Sequence, residues 1–159
     1  MRGAMSVVCL ASVMVAAACS ESTAPNSPLE GGWITPRENL QPRGSMTLSL
    51  GFSGSEFRFR VNTYGVYGGD SPGMLSSYTD ISGTYQIDGD KLVLTANRVA
   101  TWDSFYGRQS LERVEQVNLI VFEQARFRIV GGMLILDYIT YPADAPVPTT
   151  RAFTRLGLD

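Results

Sequence analysis

An all-β body, closed as an antiparallel up-and-down barrel of about eight to nine strands, is predicted by three hairpins that share one pattern. Each alternates apolar residues on both sides of a two-residue turn: Leu50 to Phe59 around Gly54-Ser55, Tyr85 to Leu94 around Gly89-Asp90, and Phe127 to Leu136 around Gly131-Gly132. A period of two marks a half-buried strand. Consecutive hairpins close on themselves because closure removes the unpaired edges that invite aggregation. The 16 Gly and 8 Pro in 159 residues supply the turns such a body needs, and the length is enough for one domain with a real core.

The first residues stand apart from this body. Arg2 begins a short positive region, Met5 to Ala18 is apolar apart from Ser6 and Ser12, and Ala16-Ala17-Ala18 precede Cys19. The apolar run is too short to span a bilayer, so residues 1–18 are expected to be a cleaved signal peptide. The segment is similar to the lipobox of bacterial lipoproteins, with Ala16 where Leu is more usual. That resemblance implies cleavage before Cys19 and lipid attachment to its sulfur and new amino group. Several acyl chains on one residue anchor stably, whereas one is marginal. Ser20, rather than Asp, follows the Cys, which for this family implies the outer membrane if the cell has one. An ordinary secretory signal with an incidental Cys is the alternative. The other Cys, Cys9, falls within the signal, so the mature body has no disulfide.

Residues 19–30 are Ser/Pro/Asn-rich and read as a flexible tether, leaving residues 31–159 for the barrel. A short strand is expected at Gly31–Ile34, then a loop through Pro36 and Pro42. The first hairpin spans about Ser45 to Val61. It sets Phe52 opposite Phe57 and Leu50 opposite Phe59 on the inner face, with Met46 and Leu48, while Ser53, Glu56, Arg58 and Arg60 face out. Gly at the first turn position suits a type II′ turn. Tyr64 to Asp80 reads as a long loop without the Gly-Lys-Ser/Thr ending of a phosphate loop.

In the second hairpin, about Ile81 to Val99, Ile87 faces Leu92 and Tyr85 faces Leu94, with Asp88 and Lys91 opposed outside. Asp88-Gly89-Asp90 lacks the spaced carboxylates of a calcium loop and is turn chemistry. Thr101 to Gly107 reads as an aromatic loop. Ser110 to Gln124 fits two periods: Leu111, Val114, Val117 and Val121 on a helix face, or Val117, Leu119 and Val121 on a strand. A strand over about Val114–Phe122 is expected, with room for one short helix before it. The third hairpin, about Ala125 to Thr140, pairs Ile129 with Leu134 and Phe127 with Leu136. Its outer face carries Val130, Met133 and Ile135, so cover is expected, with Leu111–Val117 as the candidate. After a Pro-rich loop at 142–148 the last strand runs Thr150–Leu156.

Gly31-x-Trp33, the hairpin series and an Arg on the final strand (Arg155 or Arg151) resemble the lipocalin superfamily. Leu136-Asp137-Tyr138-Ile139-Thr140-Tyr141 is similar to that family's Thr-Asp-Tyr-x-x-Tyr motif, with Leu for Thr. The resemblance implies that Trp33 plugs the closed end of the barrel and that the Arg packs over it. A cation–π contact would explain such a pairing. The long helical segment that follows the barrel in the family is absent.

With His 0, nucleophile systems built on Ser-His or Cys-His and the common His-based metal sites are excluded. No Asp/Glu pair stands in a catalytic context, so no enzyme activity, metal or cofactor is expected. A net charge of −2 implies no polyanionic partner, and an exported protein has little occasion to bind nucleic acid. Arg58, Arg60, Arg126 and Arg128 share outward faces, and Arg126 opposite Asp137 suggests a cross-strand pair. The inward set is uniformly bulky, which favours a largely filled interior with any cavity near the mouth. The leading expectation is a monomeric, lipid-anchored envelope barrel that binds a small hydrophobic ligand through Trp33, Tyr64, Tyr67, Tyr85, Trp102, Phe105 and Phe127. The alternative is a structural or inhibitor-like module with a filled barrel and an envelope protein as partner. Replacing Cys19 by Ser should abolish acylation and release the protein from membranes; unchanged membrane fractionation would count against the anchor.

Overall fold

A computed structural model describes residues 27–67, 70–104, 111–142 and 145–157. The predicted signal peptide, Cys19, most of the tether and Phe105 lie outside the described residues. Ten strands form one antiparallel sheet: β1 (Gly31–Ile34), β2 (Glu38–Asn39), β3 (Ser45–Ser53), β4 (Glu56–Tyr64), β5 (Leu75–Asp88), β6 (Lys91–Asp103), β7 (Arg113–Ile120), β8 (Glu123–Val130), β9 (Met133–Thr140) and β10 (Val147–Arg155). The circuit runs β1-β3-β4-β5-β6-β8-β9-β10 and returns to β1, which gives a closed barrel of eight strands. The remaining two extend existing courses. Strand β2 continues β1 along β3, and β7 precedes β8 along β6.

The three hairpins take the expected register. Phe52 lies opposite Phe57, Leu50 opposite Phe59, Ile87 opposite Leu92, Tyr85 opposite Leu94, and Phe127 opposite Leu136. Gly54 and Gly89 have φ of +58° and +63°, with their second turn residues outside the left-handed region, as a type II′ turn requires. At Gly131-Gly132 both angles are positive, as in type I′.

The strands run further than alternation indicated. Strand β5 begins at Leu75, so the expected 64–80 loop shrinks to 65–74, and Thr101 and Trp102 stand on β6 rather than in an aromatic loop. Likewise β10 starts at Val147 and absorbs Pro148. These extensions carry small polar residues on their inner face, such as Thr63 opposite Ser77, whose hydroxyls lie 2.6 Å apart. Backbone pairing to a neighbour recruits such residues although they show no hydrophobic period.

No described residue lies in an α-helix, and the expected strand near 114–122 is β7. It does not cover the third hairpin. It pairs along β6, which holds it away and leaves Val130 and Met133 54% and 40% exposed.

The half of the barrel nearest the three tight turns is solid. Trp33, Leu50, Phe52, Phe57, Tyr85, Leu92, Leu94, Leu134, Leu136 and Phe153 are all buried in one cluster. Phe52 and Tyr85 meet edge to face at 5.0 Å between centroids. Ile87 and Ile129 belong to the inner face by register but sit at its rim and stay partly exposed.

The hairpin β5–β6 bends at a bulge after Ser82, where Gly83 lies opposite Ala96. A Cβ on Gly83 would stand 2.0 Å from the Thr95 carbonyl oxygen, so the backbones could not approach. Gly83→Ala should destabilise the protein by about 1–3 kcal/mol in urea unfolding. Gly51→Ala, whose added methyl meets open space, should change stability by less than about 0.5 kcal/mol.

Candidate ligand-binding site

The two ends of the barrel differ in chemistry. At the turn end the plug expected of Trp33 is in place. The indole is buried, its Nε1 donates to the Leu29 carbonyl at 2.8 Å, and the Arg155 guanidinium lies 5.4 Å from the ring centroid. Arg155 also donates to the Glu30 carbonyl at 2.6 Å. Arg151, the other candidate for this contact, instead forms an ion pair with Glu38. Register places Trp33 opposite Arg155, so the two side chains share a face across two closing strands.

At the loop end the inner face turns polar. Thr63, Ser77, Thr79, Thr101 and Asp103 follow one another across β4, β5 and β6, and Arg113 of β7 stands opposite Thr101. The Tyr67 hydroxyl donates to Asp103 at 2.7 Å. Trp102 is on the outside, stacked on Tyr78 at 5.9 Å, and the Tyr78 hydroxyl donates to Glu112 at 2.7 Å. That bond to a carboxylate raises the Tyr78 pKa above its ordinary value. A cleft of about 600 Å³ opens here, lined by Ser77, Thr79, Asp103, Glu112 and Arg113 among others.

An apolar cleft lies in the wall instead. The backbone partner of β6 changes from β7 to β8 there. Thr95 is opposite Ile120 and Lys91 is opposite Arg126. The Val121 amide donates to the Leu94 carbonyl and the Phe127 amide to the Asp90 carbonyl. Between those two bonds the chain from Phe122 to Ala125 bows away from β6, with Gln124 at φ +52°. The resulting cleft, about 470 Å³, is lined by Leu92, Phe122 and Ala125 at depth and by Lys91, Val93, Ile120, Gln124 and Arg126 at its rim. Phe122 is fixed there by Phe59, at 5.1 Å edge to face, and by Tyr138 at 4.5 Å.

The aromatic residues expected to bind ligand are therefore dispersed. Trp33 and Tyr85 lie in the core and Phe127 packs against it. Tyr64 lies under the Arg37 guanidinium, 4.4 Å from its ring centroid. Tyr67 borders the polar loop end, and Trp102, with Tyr78, lines the cleft of about 600 Å³ there. The cleft residues Leu92, Val93, Ile120, Phe122 and Ala125 were not singled out as a site in the sequence. A signal existed, because residues 121–125 contain no Gly, Pro, Asn or Asp. Without the residues of tight reversal the chain continues along the same neighbour and must bulge.

The four outward arginines each meet a carboxylate. Arg58 and Arg60 converge on Asp80, which is 2% exposed, with Arg58 Nε donating at 2.8 Å and 2.9 Å to its two oxygens. Arg126 pairs with Asp90, and Arg128 with Asp137. The expected pairing of Arg126 with Asp137 is thus replaced by a diagonal one, although the register does set them opposite. Long guanidinium side chains reach the next residue along the neighbouring strand as easily as the one facing them. Among the described residues no group of three or more His, Cys, Asp or Glu could hold a metal ion.

The Asp137 carboxyl accepts from Thr150 at 2.6 Å and from Arg128, and these bonds hold it below the usual carboxylate range, the first more strongly. A depressed folded-state pKa stabilises the protein above the unfolded value of about 3.9, and that contribution is lost as pH falls through the folded value. Asp137→Asn should therefore lower the thermal midpoint at pH 7 and narrow its gap to wild type as the pH drops below about 4.

A scan against protein-family models found no match, and searches of curated proteins and of solved structures found none either.

Proposed function

We propose that the chain is a lipid-anchored, lipocalin-like barrel of the bacterial cell envelope that holds a small hydrophobic ligand in the lateral cleft between β6 and β8. The antiparallel eight-stranded barrel is compatible with a ligand-binding protein of this type. The observation that carries the reading is the broken pairing along β6. It opens an apolar hollow whose floor, Leu92, Phe122 and Ala125, belongs to the buried core. Ligand sites combine such apolar depth with a few polar groups at the edge. Here Lys91 supplies the cationic group at the rim, Arg126 being paired with Asp90, and it favours a ligand with an anionic end. Cys19, its sequence context and a mature body without cysteine support the anchor. The absence of histidine from the whole chain supports a non-enzymatic role.

The second reading, an envelope interaction module with a filled barrel, draws on the solid turn half. One measurement separates the two. Native mass spectrometry of protein from its own cell should show a bound small molecule. Val93→Glu with Ile120→Glu, both at the exposed rim, should weaken its retention about tenfold by making the hollow polar. A wild-type protein free of any ligand would sink the first reading in favour of the second.

A further inference from the structure

We infer that the turn end of the barrel, led by the β8–β9 tip, is the face that rests on the bilayer. This rests on the reading of Cys19 as the lipid-bearing residue.

Three tips point the same way, and they differ. The first is flanked by Glu56, and the second by Asp88 and Lys91. The third, Val130-Gly131-Gly132-Met133, carries no charge, and both of its flanking side chains are exposed. Ile129 on the same hairpin is 39% exposed, and Leu156, beyond β10, is 50% exposed. Met133 lies opposite Thr154 near the end of β10, so this apolar surface continues toward Leu156. This is the outer face that the sequence left in need of cover, and no described element covers it.

The position of the anchor supplies the occupant. Strand β1 pairs with the end of β10, and the Leu156 amide donates to the Gly32 carbonyl at 2.8 Å. The chain toward Cys19 therefore leaves the barrel beside this apolar surface. Seven residues separate Cys19 from Ser27, and the eight Cα steps between them reach at most about 28 Å. A strand of 9 residues such as β3 is about 30 Å long and, at a barrel tilt of about 40°, spans about 23 Å along the axis, so bringing the loop end to the membrane would consume most of that reach. Residues 20–26, Ser-Glu-Ser-Thr-Ala-Pro-Asn, include no large apolar side chain to cover the face. A bilayer interface accepts a few apolar side chains and needs no shaped pocket.

The test uses the acylated protein in vesicles of phosphatidylethanolamine with a minority of phosphatidylglycerol. An environment-sensitive fluorophore is placed through Met133→Cys or, at the loop end, Ser71→Cys; acylation leaves Cys19 unreactive. A lipid-borne quencher should remove most of the emission at position 133 and little at position 71. Equal quenching, or stronger quenching at 71, overturns the orientation. In the acylated protein labelled at position 133, Val130→Asp should cut the quenching about twofold while leaving the thermal midpoint unchanged, since the side chain loses contact with lipid rather than with the core. Unchanged quenching counts against the tip as the contact. Intact mass reports acylation separately. Wild type without acyl chains would defeat the anchor reading, whereas an unquenched label at 133 on an acylated chain would defeat this inference alone.

Discussion

The fold depends on the hydrogen bonding of one short strand to two neighbours. β1 has only 4 residues, yet it pairs with β3 on one side and β10 on the other. Without it the sheet would present two open edges, each a row of unpaired backbone donors and acceptors. The same four residues carry Trp33, which fills the turn end and binds back to Leu29 just upstream. Closure and plugging are thus one event. The strand cannot pair without inserting the indole, and Arg155, placed opposite by the same pairing, covers the ring. Entropy supports this economy, since few residues are ordered for two structural gains.

From that closed end the barrel changes character toward the loops. Bulky apolar layers fill the turn half. Farther along, the inner face passes to threonine, serine and the Tyr67–Asp103 bond, while ion pairs line the outside along the wall, Arg126 with Asp90 at the turn end itself. The outer pair around Asp80 is buried on one side only. Its carboxylate is removed from water while Arg58 stays exposed, so its net contribution is smaller than its short contacts suggest. Where β6 changes partner the wall bulges, and apolar side chains that elsewhere meet a neighbouring strand instead border a hollow. A barrel with an unbroken ladder would have no such opening.

Much of this was legible in residue pattern. Hairpin registers came out as expected because a two-residue turn and a period of two leave no other pairing that buries Phe52, Phe57, Leu92 and Leu134 together. The Gly89-Asp90 turn falls where the pattern sets it, with Gly89 at φ +63°. Strand ends were misjudged wherever the inner face is polar, since Ser77, Thr79 and Thr101 carry no hydrophobic signal and owe their conformation to neighbours. The aromatic residues were grouped by type and by loop position. The structure separates them because Trp102 and Tyr64 lie on outward positions of strands, while Tyr85 and Trp33 lie on inward ones.

Local pattern alone therefore sets the fold class, the turns, the pairing within each hairpin and the side chains that fill the interior. These rest on contacts between residues a few positions apart, where chain connectivity permits few alternatives. The choice of Arg155 over Arg151 on Trp33, the partners of Asp80, the bare face at Val130 and Met133, and the hollow between β6 and β8 needed the assembled barrel. Each depends on residues brought together from distant parts of the chain or on the curvature of a closed sheet. No short window of sequence contains both members of such a contact.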